Sequence, residues 1–434
     1  MQKKQTTLIY LNENLATDEF INKHKDKFTH FTRNRVLKFV TVFLLILRNS
    51  TKSIQLVLNE IFLQGVISST VSASAYVQAR KKFRHTAFVE LNEGIIGIYY
   101  SDDKIKRWKG FRCIGVDSSK IILPNTPEMK KEFGEIRIKN QQIESSYASA
   151  QFVCCYDVLN HIAIKSILTS SLLYEADVAA NVLEIDAQND LLIYDRGFAS
   201  YKFLATLVKN NKNYLVRCSS SSFKATSSFF KNAESGWSKI VYLKMPPDQK
   251  KKLEKLGLPS EIKVRFVSVI LPTGEIEVLA TSIMDESFAR NDFKEAYHLR
   301  WGVEGYYNLI KDRLALENFT GKTVESVKQD FWATVFISNL ETIMTEETEK
   351  EINSLPKENK HAKKVNKAVS FNIIKNSVFD LLLNEKDKSN LLQKMELAFK
   401  TNPVLARLDR SPPRKKFSAL RSYNFRRRIK KQVF

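Results

Sequence analysis

Five polar side chains within Tyr297–Lys311, YHLRWGVEGYYNLIK, are spaced for joint chemistry. At about 100° of rotation per helical residue, Tyr297, Arg300, Glu304, Asn308 and Lys311 fall within roughly 80° of one another. A carboxylate is thereby set among two cations and a phenol on one helix face. The same pattern also suits a solvated face on which Arg300 pairs with Glu304 at i, i+4, an interaction that contributes little. Gly302 and Gly305, on either side of the glutamate, weigh against that reading. Each costs helix stability, and each permits close approach of another backbone or of a ligand.

Two further carboxylates stand at the ends of apolar runs that read as strands. Asp117 follows Cys113-Ile114-Gly115-Val116, and Asp195 follows Leu191-Leu192-Ile193-Tyr194 and precedes Arg196-Gly197. An acidic side chain at the end of a buried strand is costly unless it is paired, hydrogen-bonded or metal-bound. The simpler reading of each is an aspartate that caps a turn or the next helix. Three carboxylates from separate segments can instead hold a pair of hard cations, which prefer oxygen ligands and leave positions for phosphate and water. Asp157, after FVCCY, is a fourth candidate that chemistry alone does not exclude.

The elements that must position these residues change in texture along the chain. From Phe28 to Tyr100 apolar residues recur at helical spacing, as in Val36, Val40, Phe43, Leu44 and Leu47. Gly65 interrupts the pattern. The next helix begins near Ser72 or Ser74 and leads into Arg80, Lys81, Lys82 and Arg84, an order compatible with a helix-turn-helix whose basic helix contacts DNA. From Phe111, the segments FRCIGVDSSKIILP, QFVCCYDVLNHIAI, LLIYDRGF and NYLVRC read as strands, with helical patterns at 175–186 and 200–209. Strands followed by strand-helix alternation imply a mixed sheet flanked by helices. Residues 219–285 hold a hairpin, KVRFVSVI-LPTG-EIEVLATS, and read as a strand-rich insertion. Ser287–Leu316 reads as one long helix, and Gln329–Lys400 as helical with a charged linker around Lys357–Lys367.

Composition limits the partners. Sixty-nine Lys and Arg against 47 Asp and Glu give a net charge of +22, which suits a polyanion such as nucleic acid. The longest apolar run, Phe39–Leu47, is far shorter than the roughly 20 residues that span a bilayer, so no membrane role is expected. The N-terminal segment has no secretory pattern, which implies a cytoplasmic, nucleoid-associated protein. Cys113, Cys154, Cys155 and Cys218 lack paired zinc-site spacing and read as small buried residues. From Arg410 onward the chain carries only basic charge, interleaved with Phe417, Tyr423 and Phe425, as in a nucleic-acid-contacting tail.

Asp117 in GVDSS, Asp195 in YDRGF and Glu304 within Tyr297, Arg300 and Lys311 resemble, in this order, the DDE transposases of bacterial insertion sequences. More narrowly the chain resembles the insertion sequence four family, whose signature is Y-x2-R-x3-E-x6-K, and the likeness runs from about Phe28 to Leu340. The resemblance implies a ribonuclease H-like α/β fold: a mixed five-stranded sheet with helices, interrupted by a β-rich insertion, plus helical N-terminal and C-terminal regions. The implied divisions are a helical DNA-binding region at 1–109, the catalytic core at 110–218, the insertion at 219–285, the last part of the core at 286–345 and a helical region with a basic tail at 346–434. Asp117, Asp195 and Glu304 would be the catalytic metal ligands for two Mg²⁺ ions, with Mn²⁺ able to substitute. Tyr297, Arg300 and Lys311, with Arg80, Lys81, Lys82 and Arg84, would contact DNA, and Asp157 drops out. Some relatives carry an aromatic residue before the Thr-Ser pair of the insertion, stacked on a flipped base. No aromatic precedes Thr281 in EIEVLATS, which leaves Trp237 or Trp301 for that role.

The implied function is excision and integration of an insertion sequence, by hydrolysis at terminal inverted repeats and then strand transfer into target DNA, by a homodimer in a synaptic complex. The competing readings are a metal-dependent DNA nuclease without strand transfer and a catalytically inactive DNA-binding derivative.

Overall fold

The computed structural model describes residues 2–406 except 34, 49–51, 141–142, 181–188, 232–235, 272, 355–361 and 384–387. The basic tail and much of the charged linker therefore lie outside the described residues. The chain divides into two units, one formed by residues up to Asp103 with those from Ile310 onward, the other by Lys104–Leu309.

The first unit is helical. It opens with α1 (Gln2–Leu15), α2 (Asp18–His24), α3 (Phe39–Arg48), α4 (Ile54–Leu63), α5 (Ala73–Arg80) and α6 (Thr86–Tyr100). Of these α3, FVTVFLLILR, is apolar on every side and correspondingly almost wholly buried.

The second unit carries the sheet. In chain order it comprises β1 (Arg112–Ile122), α7 (Pro127–Phe133), β2 (Glu135–Asn140), β3 (Ile143–Asp157), β4 (Ile162–Ser170), α8 (Glu175–Ala180), β5 (Asp190–Tyr194), α9 (Tyr201–Lys209) and β6 (Asn213–Cys218). There follow α10 (Ser227–Lys231), β7 (Ser238–Lys244), α11 (Lys250–Lys255), β8 (Glu261–Ile270), β9 (Ile276–Thr281), α12 (Arg290–His298) and α13 (Trp301–Asn308). The chain then returns to the helical unit with α14 (Val324–Ser354), β10 (Lys363–Lys364), α15 (Lys367–Leu383), α16 (Lys388–Thr401) and β11 (Val404–Leu405).

Strands β4, β3 and β1 pair antiparallel, then β1, β5 and β6 run parallel. This mixed five-stranded arrangement is the ribonuclease H-like fold that the resemblance implies. The insertion does not form a separate body: β9 pairs with β6, and β8 and β7 follow, so that with β2, which pairs with β3, the sheet reaches nine strands. The parallel strands explain why β5, DLLIY, is buried throughout, since a sheet covered on both faces needs no polar alternation. Its core joins Ile114, Leu192, Tyr194, Val216, Phe266 and Val278 of the sheet to Phe203, Leu204 and Leu207 of α9.

Three expectations are corrected. The first and last regions of the chain are not separate, because α6 and α14 share one core: Phe43 stacks on Phe88 at 4.4 Å and meets Phe336 at 6.1 Å, while Asn339 donates to Asn92. The expected helix at 287–316 is interrupted. It divides into α12, a turn at Leu299–Arg300, α13 and a π-helical turn, Leu309–Arg313. The helix-turn-helix is also absent from 54–84 in its expected form. Gln64–Ser72 exceeds the three or four residues of such a turn, and α5 ends at Arg80, leaving Lys81, Lys82 and Arg84 in the turn beyond it.

Candidate active site

Asp117 lies within β1, opposite Cys154 of β3. Its Oδ1 accepts the Ser118 amide at 2.8 Å, and its carbonyl accepts the Tyr307 hydroxyl at 2.6 Å. Asp195 follows β5 at the start of the turn Arg196–Phe198 but makes no capping hydrogen bond with its side chain, so the capping explanation fails there. Because β1 and β5 are parallel neighbours, with Val116 beside Tyr194, the two aspartates emerge side by side from the sheet.

The third carboxylate is positioned by close packing. A Cβ on Gly302 would stand 3.0 Å from Val158 Cβ, and one on Gly115 would stand 3.1 Å from Val158 Cγ1 and 3.3 Å from Val303 Cβ. Small residues thus let α13 settle against the sheet with Glu304 beside Asp117. Gly305 is different: nothing lies within 4 Å of its added Cβ.

Arg300 stands at the centre. Its guanidinium donates to Glu304 at 2.8 Å, lies 3.8 Å from Asp117 Oδ2, and packs over the Trp301 ring at 4.9 Å. The residue is only 3% exposed, so the solvated i, i+4 pair is not what the chain forms. Burial opposes its charge, but Tyr297, Glu304 and Asp195 outweigh burial and hold its pKa up. Tyr297, on α12, directs its hydroxyl at Asp195 Oδ1, 3.4 Å away, and its pKa is raised, chiefly by burial. Burial raises the Asp117 carboxyl to about 6; the Ser118 amide opposes this, Glu175 adds to it, Arg300 opposes it and Glu304 adds to it.

Asp117, Asp195, Glu304, Tyr297 and Arg300 are therefore brought together. Lys311 lies in the π-helical turn at the start of the helical unit's second segment, where burial lowers its pKa against the pull of Glu317 and Asp312. Asp157 caps its own turn, accepting from Leu159, Asn160 and the Asn160 amide group. All four cysteines are free and buried.

Arg80 does not belong to a DNA-facing surface. It is buried, donating to Gln329 at 2.7 Å, to Asp330 at 2.7 Å, to Thr320 and to the Ser326 carbonyl at 3.0 Å. Arg84 pairs with Asp26 and lies 3.7 Å from Glu325. Lys81 is exposed and Lys82 half-buried.

Several neighbours of the site leave no trace in sequence spacing. Arg217 of β6 and Glu277 of β9 form a 3.0 Å pair whose charges reach Asp195, Arg300 and Tyr297. They are far apart in sequence and meet only because the insertion returns beside β6. Tyr307, three residues after Glu304 on the same helix, was readable in principle by the periodicity that links Arg300 and Glu304.

The donor set is all oxygen and anionic, which fits hard divalent ions. Among the described residues no three His, Cys, Asp or Glu side chains stand close enough to share one ion. Arg300 supplies the positive charge where Asp117 and Glu304 converge. No helix among the described residues is long and apolar enough to cross a membrane.

The transposase InsG for insertion sequence element IS4 of Escherichia coli (strain K12) is 23% identical over 276 residues, 62% of this chain and 60% of that protein. A solved piggyBac transposase synaptic complex with hairpin DNA aligns over 90% of this chain and 85% of that chain, with TM-score 0.46 and 11% identity, a likeness too distant to bear on the fold. The family described as transposase DDE domain matches residues 108–340, more than half of the sequence and a range that contains Asp117, Asp195 and Glu304, and the chain belongs to that family.

Proposed function

We propose that this protein is a DNA transposase of the insertion sequence four type, which cleaves at terminal inverted repeats and joins the ends to target DNA. The observation that carries this reading is the convergence of Asp117, Asp195 and Glu304, from β1, the end of β5 and α13, around one buried arginine. The reaction proposed for such a site requires no covalent enzyme intermediate. The site is suited to phosphoryl transfer by positioning and charge.

Asp117, Asp195 and Glu304 would hold two Mg²⁺ ions, or Mn²⁺ in their place. Such ions, when bound, generate a hydroxide-like nucleophile from water or a 3′-hydroxyl and take up charge on the leaving oxygen. Arg300 has a planar fork matched to a phosphate's paired oxygens, and the Tyr297 hydroxyl donates one further hydrogen bond. Lys311 serves as a point charge toward the same DNA end. Because two ends are joined in one event, the working form is a homodimer on DNA, in the nucleoid.

The test uses purified full-length protein and duplex carrying its own terminal repeats. Cleavage should require Mg²⁺ or Mn²⁺, and Asp117→Asn, Asp195→Asn and Glu304→Gln should each abolish it while duplex binding persists. Full cleavage in a chelator would sink the mechanism. Cleavage without joining to a target plasmid would instead favour a nuclease.

A further inference from the structure

Between β4 and α8 the chain runs Ser171-Leu172-Leu173-Tyr174, and its three large apolar side chains face water: Leu172 is 74% exposed, Leu173 52% and Tyr174 61%. Among the described residues no other three consecutive large apolar side chains are exposed. The backbone beneath them is fixed. The Ser171 amide and hydroxyl both donate to the Phe133 carbonyl, at 2.8 and 3.2 Å, and the Tyr174 carbonyl accepts the Asp177 and Val178 amides that open α8. Contiguous apolar surface held out to water is characteristic of interaction sites.

The surroundings of this ridge say what it meets. The Tyr174 hydroxyl donates to the Gly197 carbonyl at 3.4 Å, in the turn that starts at Asp195, and Glu175 is near enough to help raise the Asp117 carboxyl. Strand β1 turns alternate side chains to opposite faces. Gly115 meets Val303 of α13, while Ile114 and Val116 share a core with Ala176, Val178 and Ala179 of α8. The two aspartates thus stand between α13, with Glu304, and the ridge that leads into α8. On its other side the ridge is bordered by cations: Leu172 lines a hollow with Lys130, Lys131 and Arg137, against the single carboxylate of Glu135. Apolar groups set between cations and a phosphoryl-transfer site fit nucleic acid, whose phosphates take the cations and whose base steps admit the apolar groups. A second copy of this chain would bring its own surplus of positive charge to that rim.

We propose that Leu172, Leu173 and Tyr174 form a wedge that enters a base step of the target duplex beside Asp195 and so sets where the transposon joins. The proposal rests on the transposase reading. Tyr297 and Arg300 hold the transposon end from the side of α12 and α13, which leaves the α8 side to the strand that is attacked. Side chains inserted between bases partly unstack them and kink the duplex, and this costs least at pyrimidine–purine steps. Joining should therefore concentrate at such steps.

The experiment loads full-length protein with a precleaved terminal-repeat duplex and offers it target duplexes that are fully paired or carry one mismatched pair, with a fluorescent base analogue at the mismatch position to report unstacking. Leu172→Ala/Leu173→Ala and Tyr174→Ala should each lower joining to the paired target about tenfold and abolish the fluorescence rise. The mismatched target, already unstacked, should restore most of that joining. Tyr174→Phe keeps the ring and should join like wild type. End cleavage by Leu172→Ala/Leu173→Ala, which involves no target, should be unchanged, as should its melting temperature. Equal joining by wild type and both alanine variants overturns the wedge alone. So does a deficit that the mismatch leaves in place, or a Tyr174→Phe as impaired as Tyr174→Ala, since either assigns the ridge to holding the Asp195 turn. A change of oligomeric state in the alanine variants overturns it in favour of contact between copies. Wild type that cleaves ends but joins neither target overturns the transposase reading beneath the proposal.

Discussion

Arg300 concentrates the electrostatics of the site in one side chain, since it touches Glu304 and approaches Asp117 while it is itself buried. A lysine has one donor point where the guanidinium has a fork, and cannot meet both carboxylates and a phosphate. Arg300→Lys and Arg300→Ala are both expected to lower single-turnover cleavage, by about 100-fold or more, the scale for removing a donor aimed at developing charge. Equal rates for Arg300→Lys and wild type would assign the residue to packing. A second residue-scale expectation concerns His24, buried in the helical unit between Thr86 at 2.8 Å and Glu90 at 3.2 Å. Burial lowers its pKa from 6.5, although Glu90 pulls upward. The folded state thus binds its proton less readily than the unfolded chain, so stability is full above pH about 6.5 and declines as pH falls below it. Melting followed by circular dichroism at about pH 7.5 and about pH 5.5 should give a lower temperature in acid, and His24→Gln should reduce the difference.

At the scale of elements, two glycines of α13 separate packing from access. Gly305→Ala meets open space and should stabilise the helix by about 0.5–1 kcal/mol. Gly302→Ala brings a Cβ to 3.0 Å from Val158, so α13 must move off the sheet, at about 1–3 kcal/mol, carrying Glu304 with it. Denaturation and cleavage assays on the pair should therefore diverge, with Gly302→Ala impaired in both. The joint between α5 and α14 is the other test of an element: Asp330→Ala strands Arg80 without its counter-charge and should cost about 3–5 kcal/mol. The two aspartates were conspicuous as acids after apolar runs, but only Asp195 follows the end of its strand; Asp117 lies in the middle of β1, which runs on to Ile122, because the polar residues after it continue the pairing with β3. The break at Leu299–Arg300 was not legible, because no Pro or Gly occupies it and the apolar period runs through it. Nor was the burial of Arg80, whose partners Thr320 and Asp330 lie some 250 positions away.

At the scale of the molecule, the helical unit is completed by segments from both ends of the sequence, with Phe336 of α14 closing against Phe43 and Phe88. A chain that starts at Lys104 would expose the buried side of α14, so it is expected to aggregate rather than to report on DNA specificity. Point variants and C-terminal deletions are the cleaner instruments. From Arg410 to Phe434 the sequence holds ten Lys and Arg and no acid, against a whole-chain net charge of +22. Such a segment engages phosphates, which fix no sequence, and each phosphate it neutralises releases condensed counterions. Deleting 410–434 should therefore weaken binding to terminal-repeat and random duplex by the same factor. The slope of log affinity against log salt should shrink by roughly 0.9 for each phosphate that the shortened chain leaves unneutralised. The ratio of the two affinities should stay constant at every salt concentration, because discrimination belongs to groups that touch base edges. A ratio that collapses on deletion would move sequence reading into the C-terminal segment and leave the basic charge as more than an electrostatic anchor.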